Sequence, residues 1–171
     1  MKKRTKVLTL CALFTAVICV CAQISLPMPS GIALTLQTFG IALAGFVLGA
    51  RCGAICSLAY IALGALGIPV FSGFGGGVGA LLGFSGGFLW CMPPFSALCG
   101  LAFYVNQKIY KFLISAAAIV LLYAVGILWF SHFSGNGIFE SFLTAGLIYL
   151  PKDIISLAIA YLTAKRIRKN I

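Results

Sequence analysis

Very few side chains of this sequence could do acid–base chemistry or bind a polar ligand. The 171 residues include two carboxylates, Glu140 and Asp153, and one histidine, His132. Glu140 and His132 fall at the edges of apolar runs, where water solvates them easily, so both are expected to be ordinary interfacial residues. Asp153 lies inside an apolar run, residues 141–164. It is therefore the first candidate for a side chain that binds a ligand.

A charge such as that of Asp153 is expensive inside a membrane segment. It costs at least roughly 2.5 kcal/mol near the bilayer centre, and ionisable residues in such segments are usually functional. Two structural alternatives are open from the sequence alone. The carboxylate could pair with the adjacent Lys152, or it could cap the helix that Pro151 begins. Because neither role excludes a ligand, Asp153 stays a candidate binding residue.

The second candidate region is rich in glycine. Residues 69–87 read PVFSGFGGGVGALLGFSGG and contain eight glycines. Glycine at this density allows positive φ angles and brings backbone N–H groups close to a ligand, and the interleaved phenylalanines could form an apolar wall. The candidate ligand contacts in this glycine-rich stretch are Phe74, Gly75, Gly76, Gly77, Gly79, Gly86 and Gly87.

Two other roles of these glycines compete with ligand binding. A glycine recurs every four residues from Gly75 to Gly87, as it would on the small-residue face of a packed helix. Phosphate binding is disfavoured, because no Lys-Ser or Lys-Thr pair closes a P-loop pattern. Helix packing is therefore the main alternative.

A third group of polar side chains precedes the second apolar run. It comprises Thr35, Gln37 and Thr38 in the stretch IALTLQTFG. An amide both donates and accepts hydrogen bonds, so Gln37 could serve a pocket, with Thr35 beside it. A single glutamine near the start of a helix could equally be solvated. Both interpretations are open at this point.

Composition indicates the elements that must position these residues. The chain is 62% hydrophobic and 8% charged, with a mean hydropathy of +1.14, far from the roughly one-quarter charged content of a soluble domain. We therefore predict one all-α polytopic membrane domain over residues 1–171. Its six predicted spans are residues 7–26, 34–50, 52–66, 88–105, 112–133 and 141–164. The short break around Gly49, Ala50 and Arg51 predicts a tight helical hairpin.

The basic residues predict how the chain is oriented in the cell membrane. With the N-terminus in the cytoplasm, eleven of the twelve basic residues fall on the cytoplasmic side, and only Lys152 does not. This distribution follows the positive-inside rule and places the C-terminus in the cytoplasm as well. The glycine-rich stretch then faces outward. Because topology explains the net charge of +10, nucleic-acid binding is not expected.

Several function classes are disfavoured by the residue types. An enzyme is not expected, since one histidine, two acids and seven cysteines within apolar runs offer no nucleophile beside a base. The same cysteines make disulfides or a metal site poor interpretations, and no cofactor is expected. An ion channel would line its path with several polar residues. A self-contained carrier or channel for another small amphiphilic solute and a structural membrane subunit with no ligand are the alternatives.

Three stretches together resemble one known family. They are TLQTFG, GIPVFSGFGGGVGALLGFSGGF and LPKDII, and they are similar to the BioY family, the biotin-binding S components of energy-coupling-factor (ECF) vitamin transporters. The resemblance covers nearly the whole chain. It implies a six-helix membrane fold that captures biotin on the outer side and works with a transmembrane coupling subunit and two ATPases. An S component for a different vitamin is a further alternative.

The resemblance also implies roles for particular residues. Asp153 would accept hydrogen bonds from the ureido N–H groups of biotin. Family members carry small residues four apart on the first helix, facing the coupling subunit, and Ala12 and Ala16 match this pattern because close helix approach requires small side chains. The last helix of the family typically begins Pro-Gly-Asp-x-x-Lys, whereas this chain has Ser156 at the lysine position. Lys152 is the candidate replacement.

Overall fold

The computed structural model describes residues 2–169, and these residues form a bundle of α-helices. The eight helices of the described part are α1 (Lys2–Gln23), α2 (Gln37–Leu48), α3 (Ala50–Ala65), α4 (Val78–Leu82), α5 (Gly86–Tyr104), α6 (Lys108–Ser134), α7 (Ile138–Phe142) and α8 (Leu150–Ile167). A small antiparallel hairpin of β1 (Ser25–Leu26) and β2 (Leu34–Thr35) connects α1 to α2. This hairpin is an addition to the all-helical prediction.

The helices differ in whether their length suffices to cross a membrane. Among residues 2–169, three helices are long and apolar enough, over Arg4–Gln23, Gly86–Tyr104 and Lys108–Ser134. The helix pair Ile138–Leu147 and Leu150–Ile167 meets at 46° and is long and apolar enough only if its two parts are counted as one broken span. The helices α2 and α3 have 12 and 16 residues, so they are roughly 18 and 24 Å long. The division of the chain into six spans stays a prediction.

A single glycine joins α2 to α3. Gly49 has φ 88° and ψ 173°, a backbone conformation that residues with a side chain rarely adopt. The two helices pack so closely behind this turn that a Cβ on Gly53 would lie 2.7 Å from Cα of Gly45. The tight hairpin predicted at this position is present, with the sharp turn at Gly49.

The helix α2 is the centre of the bundle. It packs against α1, α3, α5 and α8, and most of its residues are buried, including Ile41 and Phe46. In a membrane, close packing of side chains and backbone is a main source of helix association. The pair α5 and α6 shows such packing, because a Cβ on Gly87 would overlap the side chain of Trp129, and one on Gly126 would overlap the ring of Phe88.

The glycine-rich stretch does not form one continuous helix. It contains a 3₁₀ turn at Ser72–Phe74, then the short α4, and then the first turn of α5. Glycines of the four-residue repeat therefore fall in separate elements, and the interpretation as a single small-residue helix face is wrong. Gly73 and Gly77 have φ values of 66° and 90°, where glycine is favoured. Irregular backbone, with close packing at its end, accounts for the stretch.

The side chain of Gln23, at the end of α1, fastens the glycine-rich stretch to the bundle. Its Nε2 donates to the carbonyl oxygens of Pro69 and Phe71, at 3.2 and 3.1 Å. Its Oε1 accepts a hydrogen bond from the backbone N–H of Phe74 at 3.0 Å. Irregular backbone needs such partners within a membrane protein, because lipid supplies none.

The segment before α8 is also irregular. The predicted run at 141–164 is interrupted by a π-helical turn at Leu143–Leu147, and α8 begins only at Leu150 with Pro151 in its first turn. Proline lacks an N–H group, and the first turn of a helix accommodates it well because an N–H there has no partner within the helix. The break places the first turn of α8, including Asp153, next to the end of the β hairpin.

Candidate ligand-binding site

A cavity of about 220 Å³ is enclosed by the β hairpin, the glycine-rich stretch, α5, α6 and the first turns of α2 and α8. Its volume lies somewhat below the range for small-molecule pockets, which starts at roughly 300 Å³. The polar side chains on its wall include Thr35, Gln37, Tyr123, Tyr149, Lys152 and Asp153. The cavity therefore combines residues from distant parts of the sequence into one site.

Asp153 is the acidic group of this cavity. The residue is 5% exposed, and its Oδ2 accepts a hydrogen bond from the hydroxyl of Tyr123 at 2.7 Å. Its Oδ1 is ion-paired with the ammonium group of Lys152, yet this oxygen has no hydrogen-bond partner among residues 2–169. A buried carboxylate oxygen of this kind can accept a hydrogen bond from a ligand.

The two structural alternatives for Asp153 are now resolved. Pairing with Lys152 is confirmed. Capping is contradicted, because α8 has no side-chain capping hydrogen bond at its N-cap residue, Tyr149. The carboxylate still lies in the first turn of α8, where the helix dipole favours a negative charge. The ion pair and the helix end together stabilise a charge inside the bundle.

Lys152 links α8 to the β hairpin. Its Nζ donates to the carbonyl oxygen of Thr35 at 2.7 Å and also pairs with Asp153. Its side chain is 20% exposed, so the ammonium group is only partly desolvated. Ser156, which occupies the position of the family's lysine, is buried on α8 but does not line the cavity. Lys152 therefore presents its charge to the cavity, whereas Ser156 does not.

Gln37 is the first residue of α2 and is 7% exposed, so the solvated interpretation of this side chain is wrong. Its Nε2 donates to the hydroxyl of Tyr60 and lies 3.8 Å from the Met92 sulfur. Its Oε1 accepts a hydrogen bond from Thr35 Oγ1 at 3.3 Å. These contacts fix the amide in one orientation at the cavity wall.

The loop of the β hairpin is held over the cavity by Tyr149. The hydroxyl of Tyr149 donates to the carbonyl oxygen of Ile32 and lies 2.7 Å from Ser30 Oγ. Together with the bond from Lys152 to Thr35, these contacts tie both sides of the hairpin to the region where α8 begins. The hairpin thus forms one wall of the cavity.

Only part of the predicted glycine-rich contact set reaches the cavity. Gly75 lines it, as do Phe71 and Ser72. Phe74 is 73% exposed and does not line it. The predicted contacts that also lie away from the cavity wall are Gly76, Gly77, Gly79, Gly86 and Gly87. Their places are in turns and in helix packing, so they shape the site without touching its interior.

The apolar wall was predicted only in part, since the phenylalanines of the glycine-rich stretch were expected to form one and, of these, Phe71 lines the cavity. It includes Phe71, Phe88, Met92, Phe95 and Leu122, and Tyr60 supports Phe71 from behind with a ring-centroid distance of 5.4 Å. An aromatic or methionine inside an apolar helix looks the same whether it faces a cavity or the core. Tyr123 could have been predicted as a site residue, because a hydroxyl in the middle of an apolar run needs a polar partner.

Ala12 and Ala16 lie outside this site. Both are exposed on α1 and leave a small-residue face on the surface of the bundle. For the same described part of the chain, residues 2–169, no group of three or more His, Cys, Asp or Glu side chains could hold a metal ion. The chemistry of the cavity is thus hydrogen bonding and ion pairing against an apolar wall.

Comparisons with known proteins connect this arrangement to one family. The sequence matches the BioY family over residues 1–171. A probable biotin transporter BioY of Pyrococcus horikoshii is 38% identical over 170 residues, which cover 98% of this chain and 99% of the relative. The biotin transporter BioY of Thermotoga maritima is 33% identical over 158 residues, with 92% of each chain covered.

The fold agrees with a solved structure as well. This chain is similar to the crystal structure, at 2.1 Å, of the S-component for biotin from an ECF-type ABC transporter. The TM-score is 0.87 at 27% sequence identity, with 98% of this chain and 93% of the other covered. The similarity therefore includes the segments that enclose the cavity.

Proposed function

From the premise that this chain belongs to the BioY family and is a biotin transporter, the S-component of an ECF transporter rather than an enzyme, we propose that Asp153 anchors biotin in the cavity. The observation that carries this proposal is Oδ1 of Asp153, a buried carboxylate oxygen that has no hydrogen-bond partner in the described part of the chain. The ureido ring of biotin presents two N–H donors. A carboxylate at the cavity wall is their complement.

Two neighbours prepare Asp153 as an acceptor. Tyr123 donates to Oδ2 and thereby orients the carboxylate, and Lys152 compensates its charge. A ureido N–H that reaches Oδ1 forms a charge-assisted hydrogen bond, which contributes roughly 1.5–3 kcal/mol. The site thus offers an acceptor whose orientation is set by Tyr123 and Lys152 before the ligand arrives.

Lys152 takes the place of the lysine that the family pattern has three residues after the aspartate. Its position on the cavity wall supports this substitution, since Ser156 lies away from the wall. An ammonium group has three donors. Besides its bond to Thr35, Lys152 can donate to the carbonyl oxygen of the ureido ring. The same ring then bonds to both members of the ion pair.

The rest of the ligand is held by the apolar wall. Biotin carries a sulfur-containing ring and a hydrocarbon chain, which suit the side chains of Phe88, Met92 and Phe95. Gln37 and Gly75 supply further polar contacts on the cavity wall, with Gln37 fixed by its hydrogen bond to Tyr60. The amide and the ion pair limit the ways in which the ligand can lie.

The test of Asp153 is its replacement by an amide. Asp153→Asn places N–H donors beside the donors of the ligand, so biotin affinity should fall at least about tenfold. Glu140→Gln is the matched control, because Glu140 is the other carboxylate of the sequence and is exposed. Its affinity should equal that of the unaltered protein. Titration of the purified, monodisperse proteins with labelled biotin measures both.

Equal affinities of Asp153→Asn and the unaltered protein for biotin would remove Asp153 from the binding site.

Competition with other vitamins tests the identity of the ligand. Unlabelled biotin should displace labelled biotin, whereas vitamins without a ureido ring should not. Displacement by a different vitamin at lower concentration would favour an S component for that vitamin.

We further propose that both termini are cytoplasmic and that the cavity opens toward the outside of the cell membrane. The distribution of eleven of twelve basic residues supports this orientation. On a cysteine-free background, a cysteine at position 108 should resist an impermeant thiol reagent in intact cells and react in opened cells. Labelling in intact cells would reverse the topology.

The partners proposed for this S component are a transmembrane coupling subunit and two ATPases. The exposed alanines Ala12 and Ala16 support a docking face on α1, since small side chains let helices approach closely. Ala16→Trp should abolish co-purification with the coupling subunit and leave biotin affinity unchanged. Ala124→Trp, on an exposed face of α6, is the control. Assembly of Ala16→Trp at normal yield would place the docking face elsewhere.

A further inference from the structure

We propose that a groove between α6 and α8 binds one anionic phospholipid, with its phosphate on two lysines and an acyl chain along the apolar floor. This α6–α8 groove has a volume of about 660 Å³, and its wall includes Lys108, Lys111, Phe112, Ile119, Leu157 and Tyr161. It exists because α6 packs along α5 and α8 packs along α2, whereas α6 and α8 have little direct contact.

The length and chemistry of the groove match one lipid leaflet. Its α6 side extends from Lys108 to Val120, which is about 18 Å of helix. One leaflet contributes about half of the roughly 30 Å hydrocarbon thickness. Beyond the lysines the wall is almost entirely hydrocarbon, with Ala116 and Ile154 among the side chains. An acyl chain therefore fits the part of the groove that lies within the membrane.

The basic end of the groove is preorganised for an anion. Lys108 is exposed in the first turn of α6, and Lys111 is half-buried one turn later. The ammonium group of Lys111 lies 3.4 Å from the Tyr161 hydroxyl and 5.9 Å from the centroid of the Phe103 ring. These contacts hold the charge at the mouth of the groove without neutralising it.

No carboxylate of the described chain balances these two lysines. The sequence has two acidic side chains. Asp153 is paired with Lys152, and Glu140 follows α6 at the end opposite to Lys108, so neither reaches the groove. The end of α8 adds a further cation, because the guanidinium carbon of Arg168 lies 4.5 Å from the centroid of Phe103. Charge complementarity therefore calls for an external anion.

A phospholipid can bind to both the lysines and the apolar floor of the groove. Basic pockets between membrane helices are suited to anionic headgroups, and each basic residue near such a surface contributes about 1 kcal/mol. Inorganic phosphate would use only the lysines. A neutral lipid would use only the apolar floor. The wall combines large residues such as Phe112 with small ones such as Ala116 and Ala158, so a second protein helix is the competing occupant, and it would have to bring its own acidic group to the lysines.

The proposal is tested by native mass spectrometry of the full chain in detergent, titrated with phosphatidylglycerol or phosphatidylcholine. Phosphatidylglycerol should form a one-to-one adduct, and the double variant Lys108→Gln, Lys111→Gln should bind it about thirtyfold more weakly. The matched control Lys6→Gln, Arg51→Gln removes two exposed charges on α1 and α3, outside the groove, and should keep the adduct. Biotin binding by every variant checks that it is folded.

A second variant tests the acyl-chain floor while the lysines remain in place. Ala116→Trp fills the groove, so the phosphatidylglycerol adduct should be lost although both charges are intact. The proposal would be overturned by equal binding of phosphatidylcholine, by retention of the adduct in Ala116→Trp, or by competition from inorganic phosphate at concentrations that do not alter ionic strength. Displacement of the lipid by a co-purifying coupling subunit would assign the groove to a protein partner and would also overturn it.

Discussion

The cavity and the α6–α8 groove each contain a lysine and a tyrosine, but the charge of the lysine has opposite surroundings in the two. In the cavity, Lys152 is paired with Asp153, and the tyrosine, Tyr123, donates to the carboxylate instead of meeting the lysine. In the groove, Lys111 meets Tyr161 and aromatic rings, with no carboxylate. The difference lies in the position of a single acidic residue.

Because of this difference, we expect the cavity to be selective for its ligand and the groove to accept a wider range of ligands. The cavity is small, about 220 Å³, and its polar atoms are held by directional hydrogen bonds, so a ligand must match both shape and donor pattern. The groove is three times larger, about 660 Å³, and combines a point charge with hydrocarbon. The groove is therefore expected to be less selective than the cavity, because directional hydrogen bonds rather than volume determine selectivity.

The largest expected difference in biotin affinity is between a variant that lacks Lys152 and a variant that lacks Lys111. Lys152→Met leaves the buried carboxylate of Asp153 without its counterion and should lower biotin affinity at least about tenfold. Lys111→Met should leave biotin affinity within about twofold of the unaltered protein, because the groove and the cavity share no lining residue. Equilibrium titration with labelled biotin measures both. Similar losses of biotin affinity in the two variants would show that the cavity and the groove are coupled.

A smaller effect is expected from the two tyrosines. Tyr123→Phe removes the hydrogen bond to Asp153 Oδ2 but keeps the ring, which packs edge-on against Phe88 at 5.9 Å. Biotin affinity should fall about three- to tenfold, the size of one net hydrogen bond. Tyr161→Phe, the matched change in the groove, should not alter it. An unchanged affinity of Tyr123→Phe would mean that Lys152 alone orients the carboxylate.

The polar residues of the cavity could be predicted because polar groups are rare in this chain. Asp153, Lys152, Gln37 and Thr35 were each conspicuous against an apolar background, and all four line the cavity. Burying an unsatisfied polar group in a membrane is costly, so a buried one needs a partner. Their roles toward biotin stay predictions, and the Asp153 and Lys152 variants test them.

The glycines were predicted less well, for an equally physical reason. Glycine is required by a positive φ, by close packing and by close approach to a ligand alike, and the sequence pattern does not distinguish these demands. Gly77 has a positive φ, Gly87 packs closely against Trp129, and Gly75 lines the cavity. The part of the apolar wall beyond Phe71 was missed, because side chains such as Phe95 are needed in the core in any case.

Sequence by itself determined the membrane class, the positions of the main helices and the polar residues of the site, because hydropathy and the scarcity of charge act locally along the chain. Tertiary structure alone decided which residues meet. Tyr123 reaches Asp153 across 30 residues of sequence, and Lys152 reaches the carbonyl of Thr35 across 117. The gap between α6 and α8 likewise has no sequence signature, because it arises where two helices pack against other partners and leave a space between them.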